Sequence, residues 1–261
     1  MNLIKLIILT MFSHLSGQWE QASGTENLDM QALGIKGDLI FSGGETGTYV
    51  SINEGISFSF SNNGNDSIGP TRGYTYDSLY IYNCTSQGVY RSGDNGESWI
   101  QKSNGLGNLL SHGILNVNGV LVHVGPFGVS ISNDMAENWE PAGLGGYDVR
   151  CVTNIDDTLF VGTNGNGLYK SIDWGENWNT LTNGVSSSNF RAIQSYENVL
   201  FAGGQIGTGV FRSIDFGESW ELLSNGIASA AFRGFGYHDD VLVAGSTGSG
   251  VYYTVDNGNS W

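Results

Sequence analysis

The sequence predicts an all-β chain, a β-propeller of four-stranded antiparallel blades with about six blades visible. Three observations predict it. The phrase Ser-x-Asp-x-Gly-x-x-Trp returns five times at intervals of about 40 residues, the mark of one supersecondary unit in tandem. Each unit divides into four short runs bounded by Gly, Asn, Asp or Ser, the pattern of short strands and tight turns. Glycine numbers 40 and proline 3, with a hydrophobic fraction of 39%, which suits turn-rich β structure with a packed core.

The chain opens on Met1-Asn-Leu-Ile-Lys5 and the apolar run Leu6–Phe12, too short to span a bilayer and shaped like an export signal. Residues 1–17 are therefore expected to be a signal peptide, residues 18–261 the propeller, and the protein secreted, extracellular or at the cell surface, with no membrane span after signal removal. The repeats run at about 31–58, 72–99, 112–139, 150–178, 191–220 and 233–261. In each, a first strand ends at an acidic turn: Asp77, Asp156–Asp157, Glu197 or Asp239–Asp240. The second strand is Leu79–Tyr82, Val120–His123, Thr158–Val161, Val199–Ala202 or Val241–Ala244. A third strand leads into the repeated phrase, which turns the chain into the fourth. Trp19-Glu-Gln-Ala-Ser23 matches a fourth strand such as Trp220-Glu-Leu-Leu-Ser224. Either this segment completes the last blade, or the sequence is part of a longer protein, which is the favoured expectation because Trp19 and Trp261 would compete for one slot.

The boxes are Ser92, Asp94, Gly96 and Trp99; Ser132, Asp134 and Trp139, with Ala136 at the glycine position; Ser171, Asp173, Gly175 and Trp178; Ser213, Asp215, Gly217 and Trp220; and Thr254, Asp256, Gly258 and Trp261. A worn sixth copy is Ser51-Ile-Asn53-Glu-Gly55-Ile-Ser-Phe58. A tight turn leaves backbone N–H groups without ladder partners, and a hydroxyl and a carboxylate can accept from them. Gly supplies positive φ, and the indole folds back to bury a large apolar area. The boxes are thus expected to be structural fasteners. They lack the carboxylate count of a calcium loop.

These residues resemble the Asp-box, or BNR, repeat of sialidases, xyloglucanase-type glycoside hydrolases, sortilin-like receptors and photosystem-assembly propellers, over nearly the whole chain after residue 17. The resemblance implies the propeller fold, with boxes on the rim away from the ligand face. It does not imply one activity, because enzymes and binding proteins share the repeat.

On the opposite face one repeat position stands out. Gln31, Arg72, His112, Arg150, Arg191 and Arg233 each precede the apolar part of a first strand, so four of the six arginines occupy one position. Arg72, His112, Arg150, Arg191 and Arg233 are the candidate ligand-binding residues, since a guanidinium fork suits carboxylate, sulfate or phosphate. The alternative is that each Arg braces its own blade. Tyr74, Tyr147, Phe190 and Phe232 are candidates for stacking on sugars, or for blade packing.

The functional expectation is a binding or scaffold module for an acidic glycan or a protein ligand, with a glycoside hydrolase or a protein-assembly factor as alternatives. A sialidase resemblance implies an arginine triad, a Tyr–Glu nucleophile pair and an Asp acid/base, but the Phe/Tyr-Arg-Ile-Pro motif is absent. A xyloglucanase resemblance implies two opposed Asp carboxylates; Asp29, Glu45, Asp66 and Asp148 fall in loops on that face without a distinctive motif. No catalytic residue is assigned. The net charge of −15 argues against nucleic acid or an anionic membrane as the general partner. The histidines at 14, 112, 123 and 238 are scattered, so no metal or cofactor is expected. Cys84 and Cys151 are expected to be unpaired thiols, and oligomeric state is not legible.

Overall fold

The computed structural model describes residues 22–26, 28–61, 69–205, 207–223, 225–227, 230–238 and 240–261. The expected signal peptide, Trp19–Gln21, Asp66, Ser224 and Asp239 lie outside the described residues. Among the described residues there are strands and turns only, and no helix is long and apolar enough to cross a membrane.

The strands form consecutive antiparallel sheets in chain order, the six blades of a β-propeller. The first blade is β1 (Met30–Lys36), β2 (Leu39–Gly44), β3 (Gly47–Ser51) and β4 (Ser59–Phe60); the second is β5 (Thr71–Tyr76), β6 (Ile81–Thr85), β7 (Gly88–Ser92) and β8 (Ile100–Gln101). The third is β9 (Gly113–Val117), β10 (Val120–Gly125), β11 (Gly128–Ser132) and β12 (Glu140–Pro141). The fourth is β13 (Val149–Ile155), β14 (Thr158–Thr163), β15 (Leu168–Ser171) and β16 (Asn179–Leu181); the fifth is β17 (Phe190–Tyr196), β18 (Val199–Gly204), β19 (Val210–Ser213) and β20 (Glu221–Leu223). The sixth shows three strands, β21 (Ala231–His238), β22 (Val241–Thr247) and β23 (Val251–Thr254). The second strand of blade two begins at Ile81 and not at Leu79, because the Asp77 carboxylate accepts from the N–H groups of Leu79 at 2.7 Å and Tyr80 at 2.6 Å, holding both in a turn.

The second strands of the first five blades are buried along nearly their whole length, whereas in β22 Leu242 and Ala244 are the buried residues. Covered on both faces, these runs are mainly apolar, as for any strand between two packed layers, with Ser42, Asn83, Thr85, His123 and Thr163 as buried polar residues within them. The chain divides into two compact units, Met1–His123 with Ser132–Glu140, and Val124–Ile131 with Pro141–Trp261. In the N-terminal unit, Phe41, Ile81, Tyr90 and Trp99 make one core cluster, and Tyr82, Cys84, Val89, Ile114, Leu121, Ala136 and Trp139 another. In the C-terminal unit, Phe160, Leu181, Phe190, Leu200, Phe211 and Trp220 pack together, and so do Phe201, Val210, Leu223, Phe232 and Leu242. Each cluster joins side chains of two consecutive blades. Within the units, first strands pack side by side, β1 on β5, β5 on β9, β13 on β17 and β17 on β21.

The box performs the expected turn chemistry. Ser92 Oγ donates to Asp94 Oδ1 at 2.7 Å and accepts from Gly96 N at 2.8 Å, while Asp94 Oδ1 accepts from Ser98 N at 2.9 Å. The same three bonds recur from Ser132, Ser171, Ser213 and Thr254, with Ala136 N as donor in the third blade. Hydrogen bonds to the ionised form hold Asp134, Asp173 and Asp215 below the usual carboxylate range and Asp256 at about 2. The indole does more than cover its own turn. Trp99, Trp139 and Trp178 donate Nε1–H to the carbonyls of Ser61, Lys102 and Ala142 in the preceding blade, whereas Trp220 donates to Gly217 within its own box. The box glycine is held by close approach as well as by φ: a Cβ on Gly96 (φ +89°) would stand 2.6 Å from the Phe41 ring.

Ser23 makes a single bridge to the worn box, receiving from Phe58 N at 2.8 Å and donating to Ile56 O at 3.1 Å. Asn104, Asn183 and Asn225, each just after a fourth strand or its repeat equivalent, likewise accept from Trp139 N, Trp220 N and Trp261 N.

Candidate functional site

The recurring position is a bulge. Val149 pairs Thr163 and Cys151 pairs Gly162, leaving Arg150 as the extra residue. The same slip leaves out Arg191 between Phe190 and Ala192, Arg233 between Phe232 and Gly234, Arg72 between Thr71 and Gly73, and Gln31 between Met30 and Ala32. A bulge kinks the strand and re-aims the side chain of the residue it inserts. Repetition of Arg therefore coincides with repetition of a backbone irregularity, which no spacing in the sequence discloses. His112 stands immediately before β9 and is half-buried.

In the N-terminal unit, Arg72 is exposed. His123, on β10, is buried at 4% exposure with Nε2 2.8 Å from Ser111 Oγ, and its ring meets that of Trp139 edge-on at 5.8 Å. Burial, with a smaller contribution from His112, pushes its pKa down to about 4. Tyr74 donates to Thr48 Oγ1 at 3.1 Å, and burial raises its phenol pKa.

The C-terminal unit holds a connected polar cluster. Arg150 donates through Nε at 2.8 Å and through Nη2 to Asp148 Oδ2, which also accepts from Asn164 Nδ2 at 3.1 Å. Asn164 Oδ1 accepts from Gln205 Nε2 at 3.0 Å, and Gln205 N donates to Asn189 O at 3.3 Å. The loop before one first strand is thus wired to the turns after β14 and β18. Arg233 is exposed, its Nε donating to Thr247 Oγ1 at 3.0 Å, and Arg191 is half-buried. Because β13 packs on β17 and β17 on β21, Arg150, Arg191 and Arg233 occupy equivalent places on three neighbouring strands. Chemically this surface offers guanidinium, amide and hydroxyl groups, the means to hold a polar or anionic ligand.

Several expectations change. Phe190 and Phe232 are 0% exposed and belong to the core, so neither can stack on a sugar. Tyr147 is half-buried beside Tyr169, ring centroids 5.7 Å apart. Asp148 is the ion-pair partner of Arg150, while Asp29 and Glu45 are exposed. Among the described residues no group of three or more His, Cys, Asp or Glu side chains is placed to hold a metal. Both cysteines are free, and burial pushes each thiol up to about 12. Sequence reasoning missed Asn164 and Gln205, which carry no repeat signal. It also missed the other two arginines, although both precede a box serine: Arg91 donates to Met135 O at 2.6 Å and Glu137 at 2.9 Å, and Arg212 to Asn257 O and, at 3.0 Å, Asn259 Oδ1.

No protein family matches the sequence, and no curated protein does. Solved structures do. The chain is similar to YCF48 bound to a D1 peptide, at 17% identity and TM-score 0.68, over 90% of this chain and 81% of that one. It is similar to the extracellular domain of the putative one-component system BT4673 from B. thetaiotaomicron, at 15% identity and TM-score 0.74, over 90% of this chain and 33% of that one. It is also similar to the GH74 xyloglucanase from Xanthomonas campestris, at 14% identity and TM-score 0.67, over 92% of this chain and 39% of that one. The chain thus spans between a third and two fifths of the latter two. At these identities the likeness is one of fold, and a β-propeller is the class that fold and repeats define.

Proposed function

We propose that this chain is a binding module, secreted or displayed at the cell surface and of the Asp-box kind, whose ligand face is the surface bearing the first-strand bulges. The observation that carries this reading is the bulged arginine recurring at Arg150, Arg191 and Arg233 on packed strands, beside the Asp148–Asn164–Gln205 cluster. The ligand is an acidic glycan or an acidic protein segment, because a guanidinium fork selects planar anions. Arg150 shares its charge with Asp148, so it meets the ligand as part of an ion pair. The neighbour solved with a bound peptide and the neighbour that is an extracellular domain both fit a binding role.

Glycoside hydrolysis is the alternative. It needs one carboxylic acid with a raised pKa. The carboxyls of Asp77, Asp94, Asp134, Glu137, Asp173, Asp215 and Asp256 are all shifted downward, so none of these seven is suited to that role. The test combines Arg150→Gln, Arg191→Gln and Arg233→Gln and measures binding to sulfated and carboxylated glycans and to acidic peptides. At least tenfold weaker binding with an unchanged thermal midpoint is expected. Unchanged binding with lost stability would leave the arginines a bracing role, and release of reducing sugar by the unmutated chain would overturn the binding reading.

A further inference from the structure

The box turns of the C-terminal unit carry a second surface. The residue between Ser and Asp is Ile172, Ile214 and Val255 in the last three boxes, exposed by 70%, 68% and 63%. The residue after Asp is Trp174 and Phe216, both at φ 57°. That left-handed conformation suits Asn or Gly and strains a bulky side chain. The comfortable choice appears in two copies, Asn95 (φ 58°) and Asn257 (φ 53°), while Met135 (φ 59°) and Glu54 (φ 60°) fill the position in two others. Gly93 and Asn133 replace the isoleucine in the boxes of Ser92 and Ser132, and Ile52 keeps it in the worn box. Two bulky rings are therefore kept where the turn disfavours them. Phe216 is 42% exposed. Trp174 is half-buried, so burial within the chain covers neither ring fully, and contact with something else would use what remains exposed.

Consecutive boxes adjoin. Lys170, two residues before Ile172, is bonded to Glu218, two residues after Phe216. Arg212, two residues before Ile214, donates to Asn257 O and Asn259 Oδ1, just past Val255. These linked turns bring the exposed Ile172, Ile214, Phe216 and Val255 into one region with the carboxylates of Asp173, Glu176, Asp215, Glu218 and Asp256. Its neighbouring cations are already engaged, Lys170 with Glu218 and Arg212 with Glu221. With Glu218 paired to Lys170, the carboxylates of Asp173, Glu176, Asp215 and Asp256 leave the apolar side chains in net negative charge, which fits a segment with apolar and basic side chains, and the chain's −15 charge opposes a second copy.

We propose that this box edge docks a protein segment carrying alternating apolar and basic side chains. It is distinct from the bulge face and independent of the ligand there. The test uses a fluorescent lysine–leucine peptide on the full chain, with glutamate–leucine and lysine–serine peptides as controls. The lysine–leucine peptide is expected to bind at least tenfold more tightly than either control. The combined variant Ile172→Asn, Trp174→Asn, Ile214→Asn and Phe216→Asn introduces only a residue the repeat already uses at those positions. It is expected to weaken binding at least tenfold while the thermal midpoint holds or rises, since Asn relieves the strained turns. Equal binding of both lysine peptides, unchanged binding by the variant, or a lowered midpoint would each overturn the proposal. If the fourfold variant fails to fold, Ile172→Asn with Ile214→Asn is read in the same way, and undiminished binding overturns it.

Discussion

His123 sits where the other blades place Ser42, Asn83, Val161, Ala202 or Ala244 on their second strands. It is the titratable group among these, and it is buried. Folding lowers its pKa from 6.5 to about 4, so between those values the unfolded chain binds a proton that the folded chain refuses. Stability from neutral His123 is present in full above pH 6.5 and falls as pH drops toward 4. Linkage gives about 2 kcal/mol lost by pH 5 and about 3 kcal/mol by pH 4. The box carboxylates, whose folded values lie below 3.8, act in a separate window: their contribution is present above 3.8 and disappears only below it. The perturbation is His123→Val, the side chain that β14 carries at the equivalent Val161, leaving Ser111 its bond to Leu109 O at 3.3 Å. Urea unfolding followed by tryptophan emission at pH 7.5, 6 and 5 should show the unmutated chain losing about 2 kcal/mol more than the variant across that range. Parallel pH profiles would refute the reasoning, because they would mean that His123 titrates alike in both states.

Two further outcomes follow from packing. Gly96→Ala places a methyl 2.6 Å from the Phe41 ring at φ +89° and should cost about 1–3 kcal/mol in urea unfolding, whereas Ala136→Gly, at the same box position with φ 67°, should cost about 1 kcal/mol or less. Arg91→Met removes the bonds to Met135 O and Glu137 and the guanidinium 4.3 Å from the Tyr80 ring; a loss of about 1 kcal/mol, smaller in high salt, is expected by thermal denaturation.

What was legible in the sequence was whatever the repeat forces on every copy. The Ser–Asp–Gly turn must satisfy the same N–H groups each time, so Ser92 and Thr254 do one job and could be read without coordinates. Blade number and strand order follow from the same periodicity. The partners of the indoles were less visible, because Trp99 reaches Ser61 in another blade and Trp220 its own Gly217, a difference decided by packing between blades. The recurrence of Arg150, Arg191 and Arg233 was visible, but the bulge beneath them is a matter of register, and one-letter spacing is the same whether or not a residue is left unpaired. Asn164 and Gln205 were invisible because each occurs once, in turns that tolerate many residues. This separates two kinds of information in a tandem fold. Selection for folding repeats its choices from blade to blade, and a ligand face adds to any repeated contact the specificity of the places where blades differ. In the reading proposed for this chain the recurring arginine supplies the common anion contact, and specificity falls to the side chains beside it that break the pattern: Asp148 against Arg150, and the Asn164–Gln205 link.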